Sequence, residues 1–338
     1  MKWLKAIAFL LGLSLLVWII RKIGWQDLVS GFRTLGWRLF VPVLIIFPCY
    51  LIYTYSWRLF LKRFDTHSIR FWSLFRIKVA GEAANTLTPL NFAGGDPVRV
   101  LLLSKKFPST VSGASVVVDR TLQIMAIVAL IFLGNVVALF KLDLPQSVRI
   151  LLGVTVSVLI LFIIVFILFQ TKGLSQKVFR LGQKFKIKAL SEERLKKIKE
   201  MDVHIVEFYR RDRRLFLLCF FLHFIARLIG VGEIYAIGRF LGVPMGAWEA
   251  IFFSAVIPVV NMFGVLVPGN LGVLEGTLSS LFVALHWDAS DGVVLQIARR
   301  LRSGIWIAIG LLFIVLSRRV KVRGNTGEAR LPRTPPRS

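Results

Sequence analysis

Apolar residues run along this chain in stretches long enough to cross a bilayer, with short polar or basic segments between them. A span needs about 20 mostly apolar residues, and six stretches come close to or exceed that: roughly 3–20, 37–61, 111–140, 148–170, 215–241 and 292–317. Two more, 72–104 and 248–285, are similarly apolar but are interrupted near their middles by Gly, Pro and Asn. Unpaired backbone groups are costly in hydrocarbon, so such breaks predict either re-entrant helical hairpins facing a cavity or proline kinks within ordinary spans.

The two interruptions match. Pro89, Asn91 and Asp96 of the first lie 179 residues before Pro268, Asn270 and Glu275 of the second, and the same offset relates Arg120 to Arg299. Pro89, Gly94 and Gly95 mark the first break; Pro268, Gly269 and Gly272 mark the second. Equivalent breaks in two halves of a membrane protein predict an internal repeat with a transport site at its centre. The expected halves are about 72–140 and 248–317, within one membrane domain over 1–319.

Charge orients the spans, because inner loops are enriched in Lys and Arg. Lys2 and Lys5 put the N-terminus in the cytoplasm. The basic segment 62–78, the basic loop 171–214 and the basic, Pro/Gly-rich tail 320–338 then all fall inside, and the tail reads as disordered. Only 21–38 carries a modest positive excess on the outer side. Three crossings separate the two breaks, so one hairpin enters from the cytoplasm and the other from outside. The predicted fold is an all-α polytopic membrane protein with about six full spans and two broken re-entrant hairpins in an inverted repeat. The first stretch has the charged flank of a signal peptide but lacks a small-x-small cleavage site, so it reads as an uncleaved span.

Composition agrees. The chain is 56% hydrophobic with a mean hydropathy of +0.71, too apolar for a soluble domain. Its formal charge of +26 is distributed among the loops, which points to anionic lipid headgroups and away from nucleic acid. Residues 172–214 hold 14 Lys/Arg against 6 Asp/Glu. Within them Ser191-Glu192-Glu193 resembles a helix start, and Leu195, Ile198, Ile205 and Tyr209 share a face. This predicts either an amphipathic helix on the inner leaflet or a solvated linker helix. Cys49 and Cys219 lie in apolar stretches and form no disulfide framework, and no metal-ligand spacing or cofactor motif occurs. Nucleotide-binding, zinc-protease and serine-hydrolase motifs are missing too, so the chain does not read as an enzyme.

Glu82, Asp96, Arg99 and Glu275 sit inside the broken segments, and Asp119, Arg120, Arg299, Arg300 and Arg302 in the helices after them. A charge near the bilayer centre costs at least about 2.5–3.5 kcal/mol on insertion scales, so such residues line a pathway or pair with one another. Arg120 lies about nine residues into its span, roughly 13 Å deep at 1.5 Å per residue. Arg120 and Arg299 either pair with acids or hold an anionic headgroup, whose phosphate a guanidinium fork matches. Glu82 and Glu275 balance charge or carry protons. Arg300 and Arg302 either pair with acids as well or simply face the membrane interface. His223 and Arg227 share a helical face that excludes Glu233, and His223 reads as a packing residue before a proton relay.

Gly81-Glu82 with Asn85, Pro89, Gly95-Asp96 and Arg99, then Asp119-Arg120, then Pro268-Gly269-Asn270-Leu271-Gly272-Val273-Leu274-Glu275-Gly276, resemble the flippase-like membrane domain of bacterial lysylphosphatidylglycerol synthases. Asn270 stands where that family often has a glycine. The resemblance implies lipid translocation without lipid synthesis, since the soluble synthase domain is not in this chain. It implies a multi-pass protein of a bacterial or archaeal cytoplasmic membrane, with both termini inside. The lipid-binding residues expected are Arg120, Arg299, Glu82, Glu275, Asn91, Asp96, Arg99 and Asn270, with membrane lipids as partners and no cofactor. Two further readings stand: a secondary transporter of a small anionic solute, and a membrane scaffold that docks a lipid- or glycan-modifying enzyme on 171–214.

Overall fold

The computed structural model describes residue 21 and residues 25–64, 69–87, 94–171, 192–263, 267 and 270–319. The stretch 3–20, the tail 320–338, and Pro89, Asn91, Pro268 and Gly269 at the two breaks lie outside these residues. Helices follow one another as α1 (Trp25–Leu35), a short 3-10 turn (Gly36–Phe40), α2 (Val41–Leu61), α3 (Phe71–Leu87), α4 (Gly95–Leu103), α5 (Ser109–Lys141), α6 (Gln146–Thr171), α7 (Glu192–Arg211), α8 (Arg213–Phe240), α9 (Ala247–Phe263), α10 (Val273–Ala284) and α11 (Ala289–Arg319). Among the described residues there is no strand.

Three helical segments, Val29–Leu61, Ser109–Lys141 and Arg213–Phe240, are long and apolar enough to cross a membrane. Their outer faces carry large exposed apolar side chains, among them Leu44, Phe132, Leu217 and Phe221. Exposed apolar area on this scale needs an apolar solvent, and the chain is an all-α polytopic integral membrane protein. α11 is long enough as well, at 31 residues, but Arg299, Arg300 and Arg302 interrupt its apolar run. Each of the two broken stretches forms a longer and a shorter helix, α3 with α4 and α9 with α10.

The 179-residue offset also relates helix boundaries. Leu61 and Phe240 close α2 and α8 at that separation, and α3, α4 and α5 begin within three residues of the positions that α9, α10 and α11 imply. Packing follows the same relation. α2 packs on α8; α3 lies against α11 while α9 lies against α5, so each broken segment seats on the long helix of the other half. A glycine opens each of these two seats. Gly310 of α11 sits where a Cβ would be 2.7 Å from the Val79 oxygen, and Gly134 of α5 where one would touch the Ala255 methyl. Core positions correspond too: Leu74 and Leu103 are fully buried, and so are Phe253 and Phe282 at the same offset.

α7 departs from expectation. It was expected on the leaflet or in solvent, but Phe208 is fully buried and Ile205 and Tyr209 pack with it against Trp57, Phe60 and Cys219. α5 and α8 both contact it. The physical reason is that its apolar stripe finds protein surface between those helices, which buries it better than headgroups would. The side chains of Leu195 and Ile198 lie outside the described residues.

A polar cavity of about 410 Å³ lies beside α1, walled by Ser30, Thr34, Asp288 and Asp291. Partial burial, with the Asp288 charge adding to it, raises the Asp291 carboxyl from 3.8 to about 6. A carboxyl raised in the folded state contributes stability that is fully present below the unfolded value and is lost as pH rises through about 6. Asp291→Asn removes that loss. With solvent screening at this half-exposed site, the variant is expected to gain about 1 kcal/mol above neutral pH. Melting curves at pH 4 and pH 8 check this: the gain should vanish at the lower pH, and equal gains at both would refute the assignment.

Candidate functional site

The first-half charges converge on one buried cluster. α3 supplies Lys78 and Glu82, α4 Asp96 and Arg99, α5 Asp119, Arg120 and Gln123, and α8 His223. Lys78, Arg99 and His223 have no exposed surface, and Asp119 almost none. Lys78 Nζ donates to Asp119 Oδ2 at 2.5 Å, and Arg99 Nη1 reaches the same oxygen at 3.2 Å. Arg99 Nη2 donates to Glu82, and its Nη1 lies 3.5 Å from Asp96. Arg120 forms a two-pronged pair with Asp96, at 3.1 and 3.0 Å, and donates to Gln123 at 3.2 Å. Three cations therefore meet three carboxylates, which is how buried charges are tolerated. Trp57 closes one side, with Lys78 and Arg99 5.8 and 5.9 Å from its ring centre.

Small residues permit this convergence. A Cβ on Gly95 would run into the Gly81 carbonyl oxygen, and one on Gly81 would collide with the Arg99 side chain. Asn85 completes the joint by accepting the Gly95 N–H at 2.7 Å. The Asp96–Arg120 pair faces a cavity of about 590 Å³ between α4, α5 and α7. Its wall is otherwise mostly apolar, including Pro97, Val100, Leu101, Val116 and Met201. Leu101 and Val117, both on that wall, are exposed apolar side chains.

The second half is built differently. Glu275 Oε1 receives Arg300 Nε at 2.5 Å and its Oε2 receives Arg300 Nη2 at 3.1 Å. Glu275 Oε2 also accepts the Gly272 N–H at 2.9 Å, which caps the start of α10. Glu233 holds Arg302 with two contacts of 2.9 and 3.0 Å and lies 3.5 Å from Arg299, whose Nη1 donates to Gln296. At the 179-residue offset Lys78, Arg99 and Asp119 become Ile257, Leu278 and Ala298. All three replacements are buried and apolar. At these three positions charge belongs to one half only.

Of the residues expected at the site, Glu82, Asp96, Arg99 and Arg120 come together, with Gly94 and Gly95 at the head of α4. Glu275, Asn270 and Gly272 gather at the head of α10. Asn270 adopts the left-handed backbone at φ 50, which asparagine tolerates better than most residues. Its side chain donates to Asn261 at 2.5 Å and its carbonyl accepts Arg300 at 3.1 Å, so it fixes the turn. Asn91, Pro89, Pro268 and Gly269 lie outside the described residues.

Arg300 and Arg302, for which pairing and facing the interface were both open, hold Glu275 and Glu233. Arg299, expected to pair with an acid or hold a headgroup, lies against Glu233, although the offset relates it to Arg120 and Glu275 to Asp96. Lys78, read as the end of the cytoplasmic basic segment 62–78, is fully buried against Asp119. One helical turn separates Lys78 from Glu82, and that spacing to an acid in an apolar run was the available signal. His223, read as packing, faces Asp119 at 3.4 Å. Arg227 lies over Tyr53 at 5.9 Å. Cys49 and Cys219 are buried and free. Among the described residues no group of three or more His, Cys, Asp and Glu could hold a metal ion.

No curated protein matches the chain, and no solved structure does. The family described as the lysylphosphatidylglycerol synthase TM region matches residues 5–317, nearly the whole sequence. The apolar helices, the paired breaks and the charges gathered around them lie within that match, and the protein belongs to the lysylphosphatidylglycerol synthase transmembrane-region family.

Proposed function

We propose that this protein is a flippase that moves a lipid with an anionic, phosphate-bearing headgroup between leaflets, without chemical change to it. The observation that carries the reading is the cavity of about 590 Å³ with one ion pair on a mostly apolar wall, where Leu101 and Val117 are exposed. A small soluble anion has no use for so apolar a wall, whereas a lipid needs both the ion pair and the wall. Asp96 occupies the Arg120 guanidinium as a counter-ion, and a phosphate with matching oxygen geometry would displace it. The repeated helices and their exchanged packing support re-entrant hairpins in an inverted repeat, the plan of alternating-access transporters. The positive-inside pattern supports a cytoplasmic membrane with both termini inside. Membrane lipids are the partners this implies, with the basic segment 171–214 available to a membrane enzyme.

Lipids retained on the detergent-purified protein test the reading. The wild type is expected to enrich one anionic class, and the Arg120→Ala/Arg299→Ala variant to lose about tenfold of that enrichment, the scale of one charged hydrogen bond. Bulk membrane composition on both preparations would sink it. The same two proteins in vesicles, assayed by quenching of fluorescent lipid in the outer leaflet, separate binding from movement.

A further inference from the structure

His223 is a buried titratable group that the lipid reading leaves unused, and both its ring nitrogens face acceptors. Nδ1 lies 2.9 Å from the Cys219 carbonyl oxygen, and Nε2 lies 3.4 Å from Asp119 Oδ1. A neutral imidazole has one N–H. In that form one of the two contacts sets lone pair against lone pair, in a site with no exposed surface. One added proton satisfies both. The other oxygen of Asp119 is already taken by Lys78, Arg99 and Gln123, so Oδ1 is left for the imidazole. Ser56 supplies the alternative arrangement. Its hydroxyl stands 3.2 Å from Nδ1 and 3.5 Å from the Cys219 oxygen, so it can donate to Nδ1 when the proton there is gone.

We propose that His223 and Asp119 form a proton-binding site that couples lipid movement to the transmembrane proton gradient. The coupling half of this rests on the flippase reading; the proton site does not. The connection runs through named pairs. Asp119 shares Arg99 with Asp96 and Glu82, and Asp96 holds Arg120 at the cavity wall. When an imidazolium balances Asp119, Arg99 turns toward Asp96. Arg120 is then released from its counter-ion to take a phosphate. When the proton is lost from Nδ1 and Ser56 donates there instead, the ring is neutral, Asp119 draws Arg99 back and Asp96 recaptures Arg120. Proton and phosphate thus favour each other's binding, and the coupling is reciprocal.

Other groups around the ring fit this assignment. α2 presents Tyr53, 5.1 Å away ring to ring, and Ser56. α3 presents Lys78 and α4 presents Arg99, both behind Asp119. On α8 itself Cys219 and Arg227 lie one turn either side. α11 meets α8 ten residues on, where Arg299 and Arg302 hold Glu233. On α7, Glu207 pairs with Arg211, and on α9, Glu249 accepts the Gly246 N–H.

Two measurements on the full chain decide the proposal. In vesicles containing a fluorescent phosphatidylglycerol reporter, each protein's rate with a pH gradient is divided by its own rate without one. The wild-type ratio is expected at about fivefold or more, the lower end of ordinary coupling between sites, and that of His223→Gln at one. Equal ratios for the two proteins would overturn the coupling. Nitrogen-15 spectra of histidine-labelled protein in nanodiscs test the proton site whether or not lipid moves. Of the four histidines, the signal absent from His223→Gln is expected to show two N–H groups at the acidic end of a pH series and one at the basic end. A single-hydrogen ring throughout the series would refute the site itself. Absent lipid movement by the wild type, with the titration present, would reject the flippase reading and keep the proton site.

Discussion

Lys78→Met is expected to cost this protein about 3–5 kcal/mol, the usual penalty for leaving one partner of a buried ion pair behind. Lys78 has no exposed surface and donates to Asp119 at 2.5 Å, and Asp119 is equally enclosed. The cluster holds Lys78, Arg99 and Arg120 against Glu82, Asp96 and Asp119, so removing Lys78 leaves one carboxylate in excess. Arg99 covers it only in part, because its Nη1 contact with Asp119 at 3.2 Å is shared with Asp96 and its Nη2 serves Glu82. Methionine keeps the length and apolar stem of lysine, so the effect isolates the charge. A second substitution makes the argument sharp: Lys78→Met with Asp119→Leu restores the balance and should recover at least half of the loss. Thermal melting in detergent, read by size-exclusion of the surviving monodisperse protein, compares the three. A single variant that melts with the wild type would mean that Arg99 and Gln123 suffice for Asp119. A double variant worse than the single would mean that Asp119 matters to the fold for some reason besides Lys78.

Gly95→Ala should be nearly as damaging, for a steric reason. The added carbon falls on the Gly81 carbonyl oxygen and 2.6 Å from Cγ of Asn85, so backbone has to move. Overpacking of this kind costs about 1–3 kcal/mol when side chains can yield, and here the obstacle is a carbonyl group. We expect about 3 kcal/mol or more. The displacement also carries Asp96 and Arg99 away from Arg120 and Asp119, since all four hang on the closeness of α3, α4 and α5. Retained lipid should therefore fall even in the fraction that stays folded. Gly304→Ala, at a site with nothing within 4 Å, is the control and should melt as the wild type does.

Much of this was legible in the sequence because its signals are local or periodic. Apolar runs locate membrane-length helices by length alone, and Gly, Pro and Asn within two of them mark where backbone leaves the helix. The offset relating Asp96 to Glu275 was visible as identity of residue type at constant spacing. The choice between Arg299 and Arg300 was not. One residue along a helix is a rotation of about 100°, so the arginine that faces Glu275 depends on how α10 approaches α11, which no local pattern encodes. Lys78 was misread for a related reason. Its environment comes from α5, 41 residues on, whereas its sequence neighbours include the exposed Arg76. α7 looked like a surface helix because its charge content is real, and only the groove between α5 and α8 explains where its apolar stripe goes.

The exchanged seats have a consequence for how the chain is made. α3 is synthesised early, yet the helix it lies against, α11, is the last described helix to emerge. Contacts at such separation close slowly. Through most of translation α3 has therefore to reside in the bilayer without its final neighbour, carrying a lysine that the bilayer rejects. Asp119 arrives while α3 is still waiting and neutralises it. In the half made second the order is reversed for α9: its long-helix partner, α5, is already in place when it appears, and the positions equivalent to Lys78, Arg99 and Asp119 are apolar. The partner of Lys78 thus lies 41 residues on, well before α11, so the pair can form before α3 meets its final neighbour.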